Sequence, residues 1–442
     1  MAEEAVVVGG GPGALRTAVA LAQAGSSVTL LQEGPWAGGV AHPDIPVGRG
    51  VVTRAPAALE RLYGPFRPVD GYDRGVLVDG HAHRLPLSRA ELARLVPATS
   101  LPGAALAWGR TRGAGELRKL IGGGKEQRTY RDWVEQRFGE PVYRRFHAPY
   151  CEARFGPPEE VSCNVARFAH ANPEDGPWYA AAGGPTLATT GVDVRTDVVV
   201  KSVTGGQVDT EDGIFTGQVF VDITPHRLVG WLGAAAGTDL RNDAGLLLTR
   251  HAVQVLVRAP EDLPADTHVL GGAPFHRITR PGLIPGCGAL DGHLLVHYAV
   301  EDGDPMMRQD DHDVVAATVD GLRQAGVEGA SESGGRVQRI RDHHAVWMNN
   351  NLVRMRRFLL ALEDLEITVV GRAGLHALFE ADGMQRPAQR FFSDLAAFSR
   401  LARATSGRRE DPRDDAIERE AFMRSEEHTS ELQSQFRISY AV

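Results

Sequence analysis

Ala5-Val6-Val7-Val8-Gly9-Gly10-Gly11-Pro12-Gly13-Ala14 is a short apolar run that ends in a cluster of glycines. An alanine-rich segment follows, with Leu15, Val19 and Ala22 at helical spacing, and then a second apolar run from Ser27 to Leu31. Strand, turn, helix and strand in that order predict a βαβ unit. A strand that turns sharply into a helix leaves the first helical amides without intrahelical partners. Those donors, with the helix dipole, stabilise a pyrophosphate. Gly9 permits the tight turn, Gly11 lets backbone meet ligand, and Ala14 is small enough to replace the third glycine at the helix–strand contact. Pro12 and Gly13 complete the loop. The position after the second strand ordinarily supplies a carboxylate to a ribose hydroxyl, but Gln32 stands there and Glu33 follows it. Gln32 bonds the ribose through its amide, Glu33 takes over after a local shift, or both face solvent.

Working outward, the 442 residues are long for one hydrophobic core, so two intertwined domains are expected. With 43% hydrophobic and 24% charged residues the composition is that of a globular protein. A formal charge of −8 with scattered arginines offers no basic stripe for a row of phosphates, which excludes nucleic acid as an expected partner. The acidic start lacks the features of a secretory signal, and no segment reaches the apolar length of an integral membrane span. Cys151, Cys163 and Cys287 are odd in number and lack metal-ligand spacing, which suits structural thiols and a cytoplasmic location.

Strand-rich blocks recur at Gly191 to Val221, broken by turns at Gly205-Gly206 and Asp212-Gly213, and at Leu365 to Val370. Between them Thr129 to Phe146 reads as a helix, with Thr129 and Asp132 in a capping arrangement, a Tyr130, Trp133, Val134, Phe138, Val142 stripe, and Pro149 as its stop. His251 to Val257 and Gly292 to Val300 alternate as strands of a second sheet. The expected organisation is an α/β nucleotide domain assembled from residues 1–60, 185–235 and 350–405. The α+β substrate domain is drawn from residues 61–184 and 236–349.

Gly38 and Gly39 follow the second strand, and with the first fingerprint they resemble the extended N-terminal signature of the FAD-dependent amine oxidase, protoporphyrinogen oxidase and UDP-galactopyranose mutase superfamily. Tyr130 to Gly139, Phe146 to Tyr150 and Phe155 to Ser162 are similar to the middle of protoporphyrinogen-oxidase-like and mutase-like members. Gly371-Arg372-Ala373-Gly374 with Asp382-Gly383-Met384 resembles the mutase-like C-terminal FAD motif. The resemblance implies a Rossmann-type FAD-binding domain built from discontinuous segments and a separate substrate domain. It implies that Gly9, Gly11 and Ala14 contact the pyrophosphate, Gln32 or Glu33 the ribose, Val200 the adenine through its backbone, and Gly38 and Gly39 the region near the flavin. Gly371 and Arg372 would lie beside the pyrophosphate. The amides near Gly383 and Met384 would face the N1–C2 edge of the flavin, where reduction leaves negative charge.

The implied activity is dehydrogenation of a C–N or C–C bond in a small organic substrate, with hydride passing to flavin N5. Two alternatives stay open: a redox-neutral mutase-like reaction on a nucleotide sugar, and a degenerate dinucleotide-binding protein without catalysis. No side chain is singled out as catalytic acid or base, and no metal is expected. His343-His344 stands in a segment that departs from the family pattern, and because adjacent residues seldom face one point the pair is expected to be surface or structural. Arg128, Arg131, Arg137, Arg144, Arg145 and Arg154 either meet an acidic substrate or form the wet face of a helix. At the far end, Arg424 to Ser434 and Ile438 to Val442 match, in register, the translation of a common sequencing-library adapter, with Gln435 to Arg437 where its barcode falls. Residues 424–442 are therefore set aside from fold reasoning, and the natural chain is expected to end at or before Met423.

Overall fold

The computed structural model describes residues 3–35, 52–53, 65–85, 95, 128–169, 179–181, 191–260, 262–284, 287–349 and 351–376. The first unit is β1 (Glu4–Val8), α1 (Pro12–Gln23) and β2 (Ser27–Leu31), as the apolar spacing predicts. Four strands follow: β3 (Val52–Thr53), β4 (Phe66–Pro68), β5 (Arg74–Val78) and β6 (His81–Arg84). A helical region comprises α2 (Tyr130–Phe138), α3 (Glu140–Val142), a π-helical turn (Tyr143–His147), α4 (Ala148–Arg154) and α5 (Cys163–Ala169). Next come β7 (Tyr179–Ala181), β8 (Val192–Arg195), β9 (Val200–Thr204), β10 (Gln207–Thr210), β11 (Gly213–Thr216) and β12 (Gln218–Val221). After α6 (Pro225–Leu232) and α7 (Thr238–Leu246) the chain forms β13 (Thr249–Arg258), β14 (Asp266–Val269), β15 (Arg277–Thr279) and β16 (His293–Val300). It closes with α8 (Asp311–Gln324), β17 (Ser331–Ala345), α9 (Asn351–Asp364), β18 (Ile367–Val369) and the short α10 (Gly371–Gly374).

Five strands pair in parallel in the order β18-β12-β1-β2-β8, so strands from the start, the middle and the later part of the chain lie side by side. Side chains alternate across a strand, and this sheet is buried on both faces. Ala5 and Val7 pack with Leu15, Ala18 and Val19 of α1, while Val6 and Val8 belong to a larger core with Trp133, Val219, Leu228 and Phe358. β9, β10 and β11 form an antiparallel meander turned by Gly205-Gly206 and Asp212-Gly213. A seven-stranded sheet in the order β17-β13-β16-β15-β14-β5-β6 takes strands from either side of the middle block of the parallel sheet. One face of it packs on α8 through Val253, Val255, Val296, Val314, Val319 and Leu322.

The helix expected from Thr129 begins where predicted. Thr129 Oγ1 accepts from Asp132 N at 3.1 Å and Asp132 Oδ2 accepts from Thr129 N at 3.1 Å, closing a capping box. It differs from expectation further on. The helix breaks at Gly139, where φ is 85°, restarts at Glu140, and runs through Pro149 instead of stopping there. In the intervening π turn the Ala148 N–H bonds to Tyr143 O, and this widened ladder accommodates the N–H that Pro149 lacks. All three cysteines are buried free thiols, and no described helix is long and apolar enough to cross a membrane.

Replacing Thr129 by alanine removes one half of the capping box. Thr129→Ala is expected to lower unfolding stability by about 1 kcal/mol, read as a lower urea midpoint at unchanged slope.

Candidate functional site

At the C-terminal ends of β1, β12 and β18 three chain segments converge. Hydrogen bonds of 2.8 Å from Asp222 N to Val8 O, from Val370 N to Val221 O and from Gly9 N to Leu31 O carry the parallel register past the last strand residues. Ligands of open parallel sheets bind outside these carboxyl ends. Gly9 has φ 117°, and a Cβ there would lie 2.7 Å from Asp222 O, so a side chain is excluded by conformation and by space. Gly13 and Gly371 meet backbone to backbone, leaving no room for a Cβ on Gly13 beside Gly371 Cα. The glycine loops from opposite ends of the sequence thus share one small volume. Gly11 is the N-cap of α1, Pro12 opens the helix, and no side chain of α1 caps its first turn.

Asp222, which no sequence motif singles out, is the residue around which these loops close. It is 7% exposed and accepts from Ala14 N (3.3 Å), Ala373 N (3.0 Å) and Gly374 N (3.3 Å). Burial pushes its carboxyl above the usual range, against the downward pull of those amides and of Arg372. An acid directly after the apolar run Val219 to Val221, at the end of a strand, is the signal that was available.

At the end of β2 the Gln32 side chain lies against Gly10, and its backbone bonds with Arg195 O (2.8 Å) and Val198 N (3.1 Å). Glu33 pairs with Arg227 of α6, whose guanidinium also lies 5.2 Å from the Trp231 ring centre. Of the two residues offered for a ribose, Gln32 is therefore beside the glycine loop and Glu33 is engaged by a cation. Val200 starts β9 with its side chain in the core, directly after the segment bonded to Gln32 and Gly34. Gly38, Gly39, Asp382, Gly383 and Met384 lie outside the described residues.

Arg372 leads from the glycine loops to a second cluster. It donates to His343 O at 2.7 Å and lies 3.2 Å from His343 Nδ1. His343 and His344, expected at the surface or in a structural role, sit half-buried at the end of β17 with ring centres 4.5 Å apart. Strand neighbours ordinarily point to opposite faces, but Asp342 has φ 53° and the β13–β17 register shifts here, which re-aims the pair. Asp342 is held by Thr249 Oγ1 (2.7 Å) and by its own N–H donating to His251 Nδ1 (3.0 Å). His344 meets the buried His276 edge-on at 5.9 Å, and Tyr150 Oη lies 3.2 Å from His268 Nδ1 and accepts from Arg154 Nη1 at 2.5 Å. Within the expected arginine face, Arg131 pairs with Glu135 and Glu159, Arg144 with Glu140, and Arg145 with Asp79, while Arg137 covers Trp133. Arg154 turns inward instead.

Burial pushes His268 and His376 down to about 4. Burial also holds His276, His343 and His344 well below the usual range, helped by Arg154 at His276, by Arg372 at His343, and by the neighbouring ring of His343 at His344. Nearby, Asp266 is drawn well below the carboxylate range by Arg277, His268 and Arg74 against the opposing effect of burial, with Arg277 Nε at 2.6 Å. The cluster is therefore one of neutral imidazoles beside arginines. Among the described residues no group of acids, histidines and cysteines is arranged to hold a metal ion.

No family model and no curated protein matches this chain. Solved structures do share its fold. It is similar to reduced UDP-galactopyranose mutase at 12% identity, over 86% of this chain and 90% of that one, with a TM-score of 0.62. It is similar to a protein assigned as a protoporphyrinogen oxidase from Exiguobacterium sp. 255-15 at 15% identity, over 86% and 96%, with a TM-score of 0.63. It is similar to cyclohexylamine oxidase from Brevibacterium oxydans IH-35A at 14% identity, over 90% and 100%, with a TM-score of 0.58.

A histidine with a depressed folded-state pKa is neutral in the fold and takes up a proton on unfolding, so its contribution is present above the unfolded value of 6.5 and lost as pH falls toward about 4. The urea midpoint is expected to fall steadily as pH drops through this window. A midpoint that holds or rises there contradicts the burial of these rings.

Proposed function

We propose that this chain is an FAD-dependent oxidoreductase of the amine oxidase superfamily, acting on a C–N or C–C bond of a small organic substrate. The observation that carries the reading is the contact of Gly13 with Gly371 at the carboxyl ends of β1 and β18, beside the first turn of α1, which no side chain of its own helix caps. In this reading residues 1–60, 185–235 and 350–405 form the FAD-binding domain, and residues 61–184 and 236–349 the substrate domain.

The two glycine loops fit a dinucleotide, with the Asp222 carboxylate between them as the exception. Gly9, Gly11, Pro12, Gly13 and Ala14 would approach its pyrophosphate, with Gly371 and Arg372 closing the other side. Gln32 would serve the ribose in preference to Glu33, and the backbone at Val200 the adenine. Gly38, Gly39, Asp382, Gly383 and Met384 are carried over on their motif alone. When bound, FAD would supply the two-electron oxidation. The chain's own part is to bind, orient and exclude water, with Arg372 running from the cradle to His343 and so linking the cofactor end to the side-chain cluster of His276, His344 and Tyr150. Held well below the usual histidine range by burial, these imidazoles stay neutral at pH 7, fitted to hydrogen-bond a substrate more than to take a proton from it. A redox-neutral reaction on a nucleotide sugar needs cations for a diphosphate, and three arginines offered for it, Arg131, Arg144 and Arg145, are spent on Glu135, Glu140 and Asp79.

Purified protein is expected to show a flavin absorption spectrum, retained or restored with added FAD, that bleaches with a substrate amine or related reductant without oxygen. Gly13→Ala should weaken FAD binding by roughly a hundredfold or more, equivalent to about 2.7 kcal/mol. Gly206→Ala, in an open turn of the meander, should leave it unchanged. A colourless protein that stays colourless with excess FAD would remove this proposal.

A further inference from the structure

Asp222 stands where a dinucleotide cradle has most reason to avoid an acid. A Cβ on Gly11 would lie 2.7 Å from Asp222 Oδ2, so the carboxylate occupies the space that the fingerprint reserves for approach to a pyrophosphate. Oδ2 takes the Ala14 amide of the first loop, and Oδ1 takes the Ala373 and Gly374 amides of the second. One side chain therefore holds donors from both loops. A pyrophosphate brings negative charge to this point, and two anions in a buried site repel strongly. Release of the Ala14 N–H to a ligand also requires that Oδ2 lose its hold on it.

We propose that Asp222 is an internal competitor of the dinucleotide: its carboxylate bridges the two glycine loops, and binding of the pyrophosphate is coupled to uptake of one proton by that carboxylate. The inference rests on the FAD reading above. The proton comes from water, adds to a carboxylate oxygen to form a neutral acid, and removes the charge opposite the phosphates; no other bond changes. The charged or titratable groups on the elements packed around Asp222 are Arg16 on α1, Arg372 on α10 with His376 just after it, His226 and Arg227 on α6, and Glu33 at the end of β2, already paired with Arg227. Arg372 favours the ionised form, and burial favours the protonated one.

The test measures the dissociation constant of FAD by flavin fluorescence, and of ADP by calorimetry, on the whole chain between about pH 6 and pH 9. Wild type should weaken toward alkaline pH by up to about tenfold per unit, the slope of one linked proton. Calorimetry in two buffers of different ionisation heat should show uptake approaching one proton near the alkaline end. Asp222→Asn and Asp222→Ser should bind FAD with little pH dependence and at least tenfold more tightly than wild type near pH 8. A flat wild-type profile with no proton uptake, or variants that keep the wild-type slope, overturns the role of Asp222 while leaving the FAD reading standing. Should the variants fail to fold, the wild-type proton count alone decides. Absence of binding of both FAD and ADP to wild type at every pH removes the dinucleotide reading, and this inference with it.

Discussion

Backbone contact between Gly13 and Gly371 is the constraint on which the site depends. Two loops far apart in sequence can meet at that distance only if the strands that carry them end at the same level, and a parallel sheet buried on both faces supplies the level. Register in such a sheet is set by which residues face which core. Ala5 and Val7 turn toward α1, Val6 and Val8 toward the larger core, and a slip of one residue would exchange the two sets. The later loop is anchored separately. Trp347 Nε1 donates to His376 O at 2.5 Å, and Asn351 Nδ2 donates to Val346 O at 2.8 Å, tying the turn after α10 to the start of α9. Position at the cradle is thus transmitted from the interior, not from the exposed surface.

Much of this was legible from local pattern. β1, α1 and β2, the meander turns, β18 and the Thr129 cap each declare themselves within a dozen residues, because periodicity and capping are local physics. What stayed hidden is non-local. β5 and β6 are short, and their membership of the seven-stranded sheet depends on β14, which follows them far along the chain. Pro149 reads as a helix stop unless the π turn before it is known. The facing of His343 and His344 depends on one left-handed residue, Asp342, and Asn or Asp adopts that conformation without announcing it. Asp222 reads as an ordinary polar residue after a strand, since its role is created by amides from two other segments.

Charge is handled differently in the two halves of the site. In the seven-stranded sheet the acid is matched to cations: Asp266 faces Arg277 and Arg74, with hydrogen bonds fixing the pair. An isolated buried carboxylate would be costly there, and pairing lowers that cost. At the cradle, Asp222 is matched chiefly to neutral amides, whose dipoles offset only part of the desolvation. The same contrast separates the histidines from the arginines around them. Imidazoles can shed their charge when buried, whereas guanidinium groups cannot, so burial near Arg154 and Arg372 resolves itself by keeping the histidines neutral.

That division bears on what the histidine cluster can do. A general base operating near neutrality needs a proton affinity close to the ambient pH, and His268 at about 4 is far from that match. Neutral rings remain good hydrogen-bonding groups, and their edge-to-face packing fixes orientation at little cost in rotamer freedom. His276 adds a buried Nδ1 with no partner among the described residues, a position where a bound polar group would recover a lost hydrogen bond. Such a cluster can offer hydrogen bonds without driving proton transfer, which matches the proposal that a bound cofactor carries the chemistry while the protein contributes placement and a low-dielectric surround.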